Sequence, residues 1–127
     1  MKTLVLDTNV FVRLLIKDVP SHFIEAEKIF QQIETGKIQA RVSILVIDEL
    51  IWVLENYYEI DRKVFLEQLL YLLTLKKLKV IEAKKSLIVG ILEKMKAGRI
   101  DFTDLYLAAV APVKQIFSFD KDFEKLT

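Results

Sequence analysis

Apolar residues recur along the chain with two alternating periods, one suited to strands and one to helices. Thr3, Leu4, Val5 and Leu6 make a short, nearly unbroken apolar run, which predicts a strand covered on both faces. It runs into Asp7, Thr8 and Asn9, after which residues 10–17 take a helical spacing. Pro20 restarts the chain, and Ser21, with Glu25 in the first turns, reads as the N-cap of a helix over residues 21–35. Phe23, Ile24, Ala26, Ile29, Phe30 and Ile33 fall at helical spacing, and Gly36 ends it. Residues 38–42 predict a second strand with Ser43 at its end. Residues 44–54 are apolar almost all round, which predicts a buried helix interrupted by Asp48 and Glu49 and closed by Asn56, Tyr57 and Tyr58. Asp61 caps a further helix with Val64, Phe65, Leu69, Leu70, Leu72 and Leu73 inward. Residues 78–81 alternate like a third strand, and residues 86–96 form a helix that Gly98 ends. Asp101 opens a last helix, which carries Ala108 and Ala109 and stops at Pro112. Residues 115–118 read as a fourth strand. The alternation predicts an α/β fold, a three-layer α/β/α sandwich with a mostly parallel central sheet of about four to five strands.

The bulk numbers narrow the chemistry. The 127 residues suffice for one domain with a core, and 53% hydrophobic with 29% charged residues is a globular balance. A net charge of +1 predicts no global attraction to nucleic acid, so any such contact must come from a local patch. Residues 76–99 offer one, with Lys76, Lys77, Lys79, Lys84, Lys85, Lys94, Lys96 and Arg99 against Glu82 and Glu93. Solvated helix and strand ends account better for most of these lysines. The absence of cysteine excludes a disulfide scaffold, a zinc-thiolate site and a cysteine nucleophile. The single histidine, His22, reads as a surface residue at a loop-to-helix junction and cannot by itself build a multi-histidine metal site. No stretch has the make-up of a secretory signal or the length of a membrane span, so a soluble cytoplasmic protein is expected.

What remains is carboxylate chemistry. Asp7 and Asp120 stand just past apolar runs, and Glu49 and Asp104 stand near the starts of helices. In an open parallel sheet these places converge on one edge, where ligands bind. Each acid alone has a structural reading: Asp7 as a helix cap, Glu49 and Asp104 as charges favoured at a positive helix end, Asp101 as an N-cap three residues before Asp104. Together, four carboxylates in low dielectric repel one another. Mg2+ or Mn2+ resolves that conflict, because both prefer oxygen ligands. Such a site suits phosphodiester hydrolysis by a metal-activated water and needs no covalent nucleophile.

The motifs in order then resemble those of PIN-domain proteins, in particular the VapC-type ribonuclease toxins of toxin–antitoxin modules. Leu4-Val5-Leu6-Asp7-Thr8-Asn9 is similar to that family's strand-plus-acid opening. Residues 42–50, ending Asp48-Glu49-Leu50, resemble its second motif, Asp104-Leu105-Tyr106-Leu107-Ala108-Ala109 its third, and Ser118-Phe119-Asp120-Lys121-Asp122-Phe123 its closing one. The resemblance implies a single PIN-like domain over residues 1–127 and a Mg2+- or Mn2+-dependent endoribonuclease. It implies a homodimer held inactive by a protein antitoxin, with RNA as substrate. Asp7, Glu49, Asp104 and Asp120 would be the catalytic and metal-binding acids, with Asn9, Ser118 and Asp101 supporting them. The connection between the third and fourth motifs is short, holds Pro112 and lacks the usual glycine-bearing turn. Asp122 competes with Asp120 for its role, although the register to Ser118 favours Asp120.

Other readings fit less well. A phosphoacceptor receiver domain needs an acid beside Asp7 and an aspartate after the middle strand, and neither is present. A haloacid-dehalogenase-type phosphatase needs an aspartate where Asn9 stands. A non-catalytic binding module that keeps the fold, acting through RNA or protein contacts, is the remaining alternative. Phe11, Phe23, Ile24, Tyr57 and Tyr58 serve either partner docking or the core.

Overall fold

The computed structural model describes residues 1–121 and Phe123. Three strands, β1 (Lys2–Val5), β2 (Ile38–Val42) and β3 (Leu78–Val80), form a parallel sheet in the order β1-β2-β3. Parallel neighbours need long crossover connections. Helices α1 (Thr8–Ile16) and α2 (Pro20–Glu34) link β1 to β2. Helices α3 (Ile44–Trp52) and α4 (Arg62–Leu73) link β2 to β3, and α5 (Lys85–Ala97) and α6 (Phe102–Val110) follow. This is the expected α/β class, consistent with an α/β/α sandwich, with three strands among the described residues.

The boundaries have local causes. Lys17, in the left-handed conformation at φ 61°, stops α1, and the Arg13–Asp18 ion pair at 2.8 Å closes over the turn. Pro20 takes the first position of α2, where its missing N–H costs nothing, so the cap position falls to Val19 and not to Ser21. Gly36, at φ +80°, ends α2, and the Lys37 N–H reaches back to the Gln32 carbonyl. Ser43 and Asp61 cap α3 and α4 by accepting the Leu45 and Lys63 N–H groups. Beyond Trp52 the α3 helix loosens into a π-turn, Val53–Tyr57, closed by the Tyr58 N–H on the Val53 carbonyl. Such wide turns re-aim the side chains after them, and here the turn carries Glu55.

The strand period sorts the sheet residues cleanly. Ile38, Ala40, Val42, Leu78 and Val80 point into a core shared with Leu54, Phe65, Leu66, Ile88, Leu92 and Met95, all buried. Thr3, Val5, Arg41 and Lys79 occupy the opposite face and are exposed, Val5 by 68%. The expectation that the first strand is covered on both faces is therefore corrected: β1 borders the sheet and buries only its Leu4 and Leu6 side.

Three further expectations change. The α3 helix buries Ile44, Ile47, Leu50 and Ile51 but turns Leu45 (75% exposed) and Trp52 (62%) outward, so it is not buried all round. Val64 is on the outer side of α4, and Leu66 takes an inward place. Residues 115–118 form no strand. Pro112 is followed by a short 3-10 turn, Val113–Gln115, and Phe117 and Phe119 are 86% and 95% exposed. A ladder needs a partner as well as an apolar run, and this segment has none among the described residues. Phe11 is a core residue, packed edge-on against Phe30 at 5.5 Å, whereas Ile24 and Tyr57 are exposed.

Candidate active site at the carboxyl edge of the sheet

The β1–β2 register pairs Val5 with Arg41, and the Leu6 N–H continues the ladder to the Arg41 carbonyl. Asp7 and Ser43 therefore leave the sheet side by side, both in extended conformation. Asp7 caps α1, its Oδ1 accepting the Thr8 N–H at 2.7 Å. Capping and an exposed position at the sheet edge coexist in this one residue. Asn9, in the first turn of α1, is exposed and lines a groove of about 350 Å3 between α1 and α2 with Val10, Arg13, His22 and Glu25.

Glu49 lies elsewhere on this end of the molecule. It is exposed between Leu45 and Trp52 on the outer side of α3, so the burial expected of this helix does not extend to it. A cleft of about 460 Å3 is lined by Glu49 with Asp48, Trp52, Glu55, Asp101 and Thr103. Within it Asp48 accepts the Thr103 hydroxyl at 3.1 Å. Asp101 precedes α6 without capping it by its side chain; its Oδ1 instead accepts from Arg62 at 3.0 Å. Asp104, in the first turn of α6, is half-buried. Ser118 and Asp120 are exposed, and the Asp120 N–H donates to the Ser118 hydroxyl at 2.9 Å. Asp122 lies outside the described residues.

The structure thus brings Glu49 and Asp101 into one cleft and sets Asp7 and Asn9 beside the sheet edge. Among the described residues no three acids or histidines stand close enough together to hold a metal ion. One acid at this edge escaped sequence reasoning. Glu82 accepts the Ser43 hydroxyl and, at 2.8 Å, the Ile44 N–H, so it closes the start of α3 from the end of β3. It stands two residues past Val80 as Asp7 stands two past Val5. That shared placement was a legible signal, hidden by the surrounding lysines.

A family model for the PIN domain matches residues 4–127. The chain belongs to the PIN domain family. PIN domains are generally nucleases that act on RNA and use divalent metals such as Mg2+ or Mn2+. Neither a curated protein nor a solved structure matches the chain. No helix among the described residues of this PIN domain is long and apolar enough to cross a membrane.

In this PIN domain Glu82 also sets a pH dependence. The Ser43 hydroxyl first, and the Ile44 N–H after it, hold its carboxyl below the ordinary value. A group with a depressed folded pKa adds stability above its unfolded pKa, and that part is lost as pH falls through the folded value. Denaturant titrations at a series of pH values should show wild-type stability falling through and below the ordinary carboxylate range. Glu82→Gln should fall less steeply there, by a modest amount because Glu82 is exposed. Equal slopes for the two proteins would remove this role.

Proposed function

We propose that this chain is a Mg2+- or Mn2+-dependent endoribonuclease, the toxin of a toxin–antitoxin pair. In this reading Asp7, Glu49, Asp104 and Asp120 are the metal-binding and catalytic acids, supported by Asn9, Ser118 and Asp101. Residues 1–127 act as one PIN-like domain. Family membership over residues 4–127 carries the reading, because that span includes all four acid motifs in order. The position of Asp7 supports it, since open parallel sheets bind ligands beyond their carboxyl ends. An all-oxygen donor set suits a hard cation.

The acids as they stand do not fit a bound ion, since no three of the described ones gather. Holding one requires them to draw together. That same observation favours the second reading, a PIN-fold module that binds RNA or protein without cutting. Incubating purified protein with several RNAs, with and without Mg2+ or Mn2+, separates the two. Metal-dependent cleavage sustains the enzyme. RNA binding with no cleavage under any metal promotes the module.

A homodimer and a protein antitoxin are the expected partners. Ile24, Leu45, Trp52 and Tyr57 are large, apolar and outward, surface that a partner would gain by burying. Light scattering at micromolar concentration should report twice the chain mass of 14.8 kDa. A clean monomer would remove the dimer.

A further inference from the structure

The lysine-rich stretch 76–99 does not act as one surface. Lys85 turns inward, its Nζ donating to the Leu75 and Leu78 carbonyls at 2.8 Å each. Lys96 reaches Glu67 at 3.4 Å. Lys79 stays outward on β3, and the β2–β3 register sets it directly beside Arg41. Arg41 lies outside the lysine-rich stretch, so only strand pairing reveals the couple. Neither side chain pairs with a carboxylate among the described residues. The acid two residues past β3, Glu82, is occupied by Ser43 and the start of α3.

Two strands in register place the Cα atoms of these two cationic residues about 5 Å apart, side by side on an open face. The same row continues to Val5 on β1. Because Asp7 and Ser43 remain extended, Asp7 follows Val5 on that face by one two-residue step, roughly 7 Å along the strand. Burial first, and repulsion from Lys79 second, hold Lys85 below its ordinary value, as expected where positive charge is not neutralised nearby. With a net charge of only +1, such a local field is what a polyanion would meet.

We propose that the sheet face bearing Arg41 and Lys79 carries the phosphate backbone of single-stranded RNA toward the Asp7 edge. The inference rests on the ribonuclease reading and adds a path for the substrate. An acidic protein segment would also meet the charge. The position of the pair, in line with Asp7 on one face, favours the strand that must reach the edge.

The test is RNA binding by the full chain with EDTA present, using labelled oligouridylate over a range of salt concentrations. Arg41→Gln/Lys79→Gln should bind about tenfold more weakly at low salt, and the salt slope should shrink by about 1.4, as for two phosphate contacts on a single strand. Both side chains are exposed, so the thermal midpoint should hold. The charge-keeping exchange Arg41→Lys/Lys79→Arg should restore the slope. Unaltered binding and slope in the glutamine variant, beside a wild type that binds and cuts RNA, would overturn this surface alone. A glutamine variant that loses binding to poly-glutamate but not to RNA would overturn it in favour of an acidic protein. A wild type that neither binds nor cuts RNA would overturn the nuclease reading as well.

Discussion

Asp7→Asn is expected to reduce metal-dependent RNA cleavage by about 10²–10³-fold, the loss of several kcal/mol of transition-state stabilisation, with almost no change in thermal midpoint. The two halves of that expectation have separate causes. Asp7 holds the first turn of α1 by accepting the Thr8 N–H. Asparagine caps a helix about as well as aspartate, and its side-chain oxygen can take the same bond. The substitution therefore removes a charge and keeps the cap. Asp7→Ala would confuse the two effects, because losing the cap costs about 1 kcal/mol. Glu49→Gln makes a second clean probe, since Glu49 is exposed on α3. If Asp7→Asn cuts RNA as fast as the wild type, the edge carboxylate is only a cap. If it loses activity and its midpoint drops by several degrees as well, the activity loss says nothing about chemistry.

Much of this architecture is legible in local pattern, and the reasons differ by element. The second strand is bounded by Gly36-Lys37 and Ser43, a C-terminal glycine on one side and a cap on the other, so its limits follow from turn chemistry. Asp61 caps α4 where the sequence places it. Local pattern fails where two local rules compete. Ser21 is a good cap residue, but Pro20 ahead of it already suits the first helical position and moves the start back. It also fails where the partner is distant. Residues 44–54 are apolar all round, and only the packed core decides that Ile47, Leu50 and Ile51 go in while Leu45 and Trp52 go out. Residues 115–118 have a strand-like composition with no ladder among the described residues.

The candidate site is legible in the same uneven way. The placement of Asp7 follows from a strand run ending in an acid, whose sheet neighbours parallel topology supplies. Glu82 has the same placement, but among its lysine neighbours it looks like a countercharge alone. Arg62 gave no signal at all. It sits beside a cap residue in an ordinary polar stretch, and two of its three partners lie 38 and 39 positions away. Periodicity cannot see contacts of that length.

That hidden arginine gives the second large effect. Arg62→Met is expected to lower unfolding free energy by about 2–3 kcal/mol. The guanidinium donates to Glu55 through Nε at 2.8 Å and Nη2 at 3.1 Å, to the Ile100 carbonyl at 3.0 Å and to Asp101 at 3.0 Å. One planar group thereby ties the π-turn, the start of α4 and the connection into α6. Its contacts are unequal. Glu55 is 30% exposed and engaged by two bonds, whereas Asp101 is 72% exposed. Water screens an exposed pair to a few tenths of a kcal/mol, so most of the loss comes from Glu55 left without its countercharge and from the stranded Ile100 carbonyl. Methionine keeps the packing of the arginine stem, which confines the effect to the polar head. Urea denaturation should show a lower midpoint with an unchanged slope. Double-mutant cycles should find a larger coupling of Arg62 with Glu55 than with Asp101. Because Asp101 and Ile100 lead directly into α6, the variant should also cut RNA more slowly at temperatures where it remains folded, through looser placement of Asp104. A midpoint shift worth less than about 0.5 kcal/mol, or equal couplings to the two acids, would mean that water can replace this arginine and that α6 is held by its apolar contacts alone.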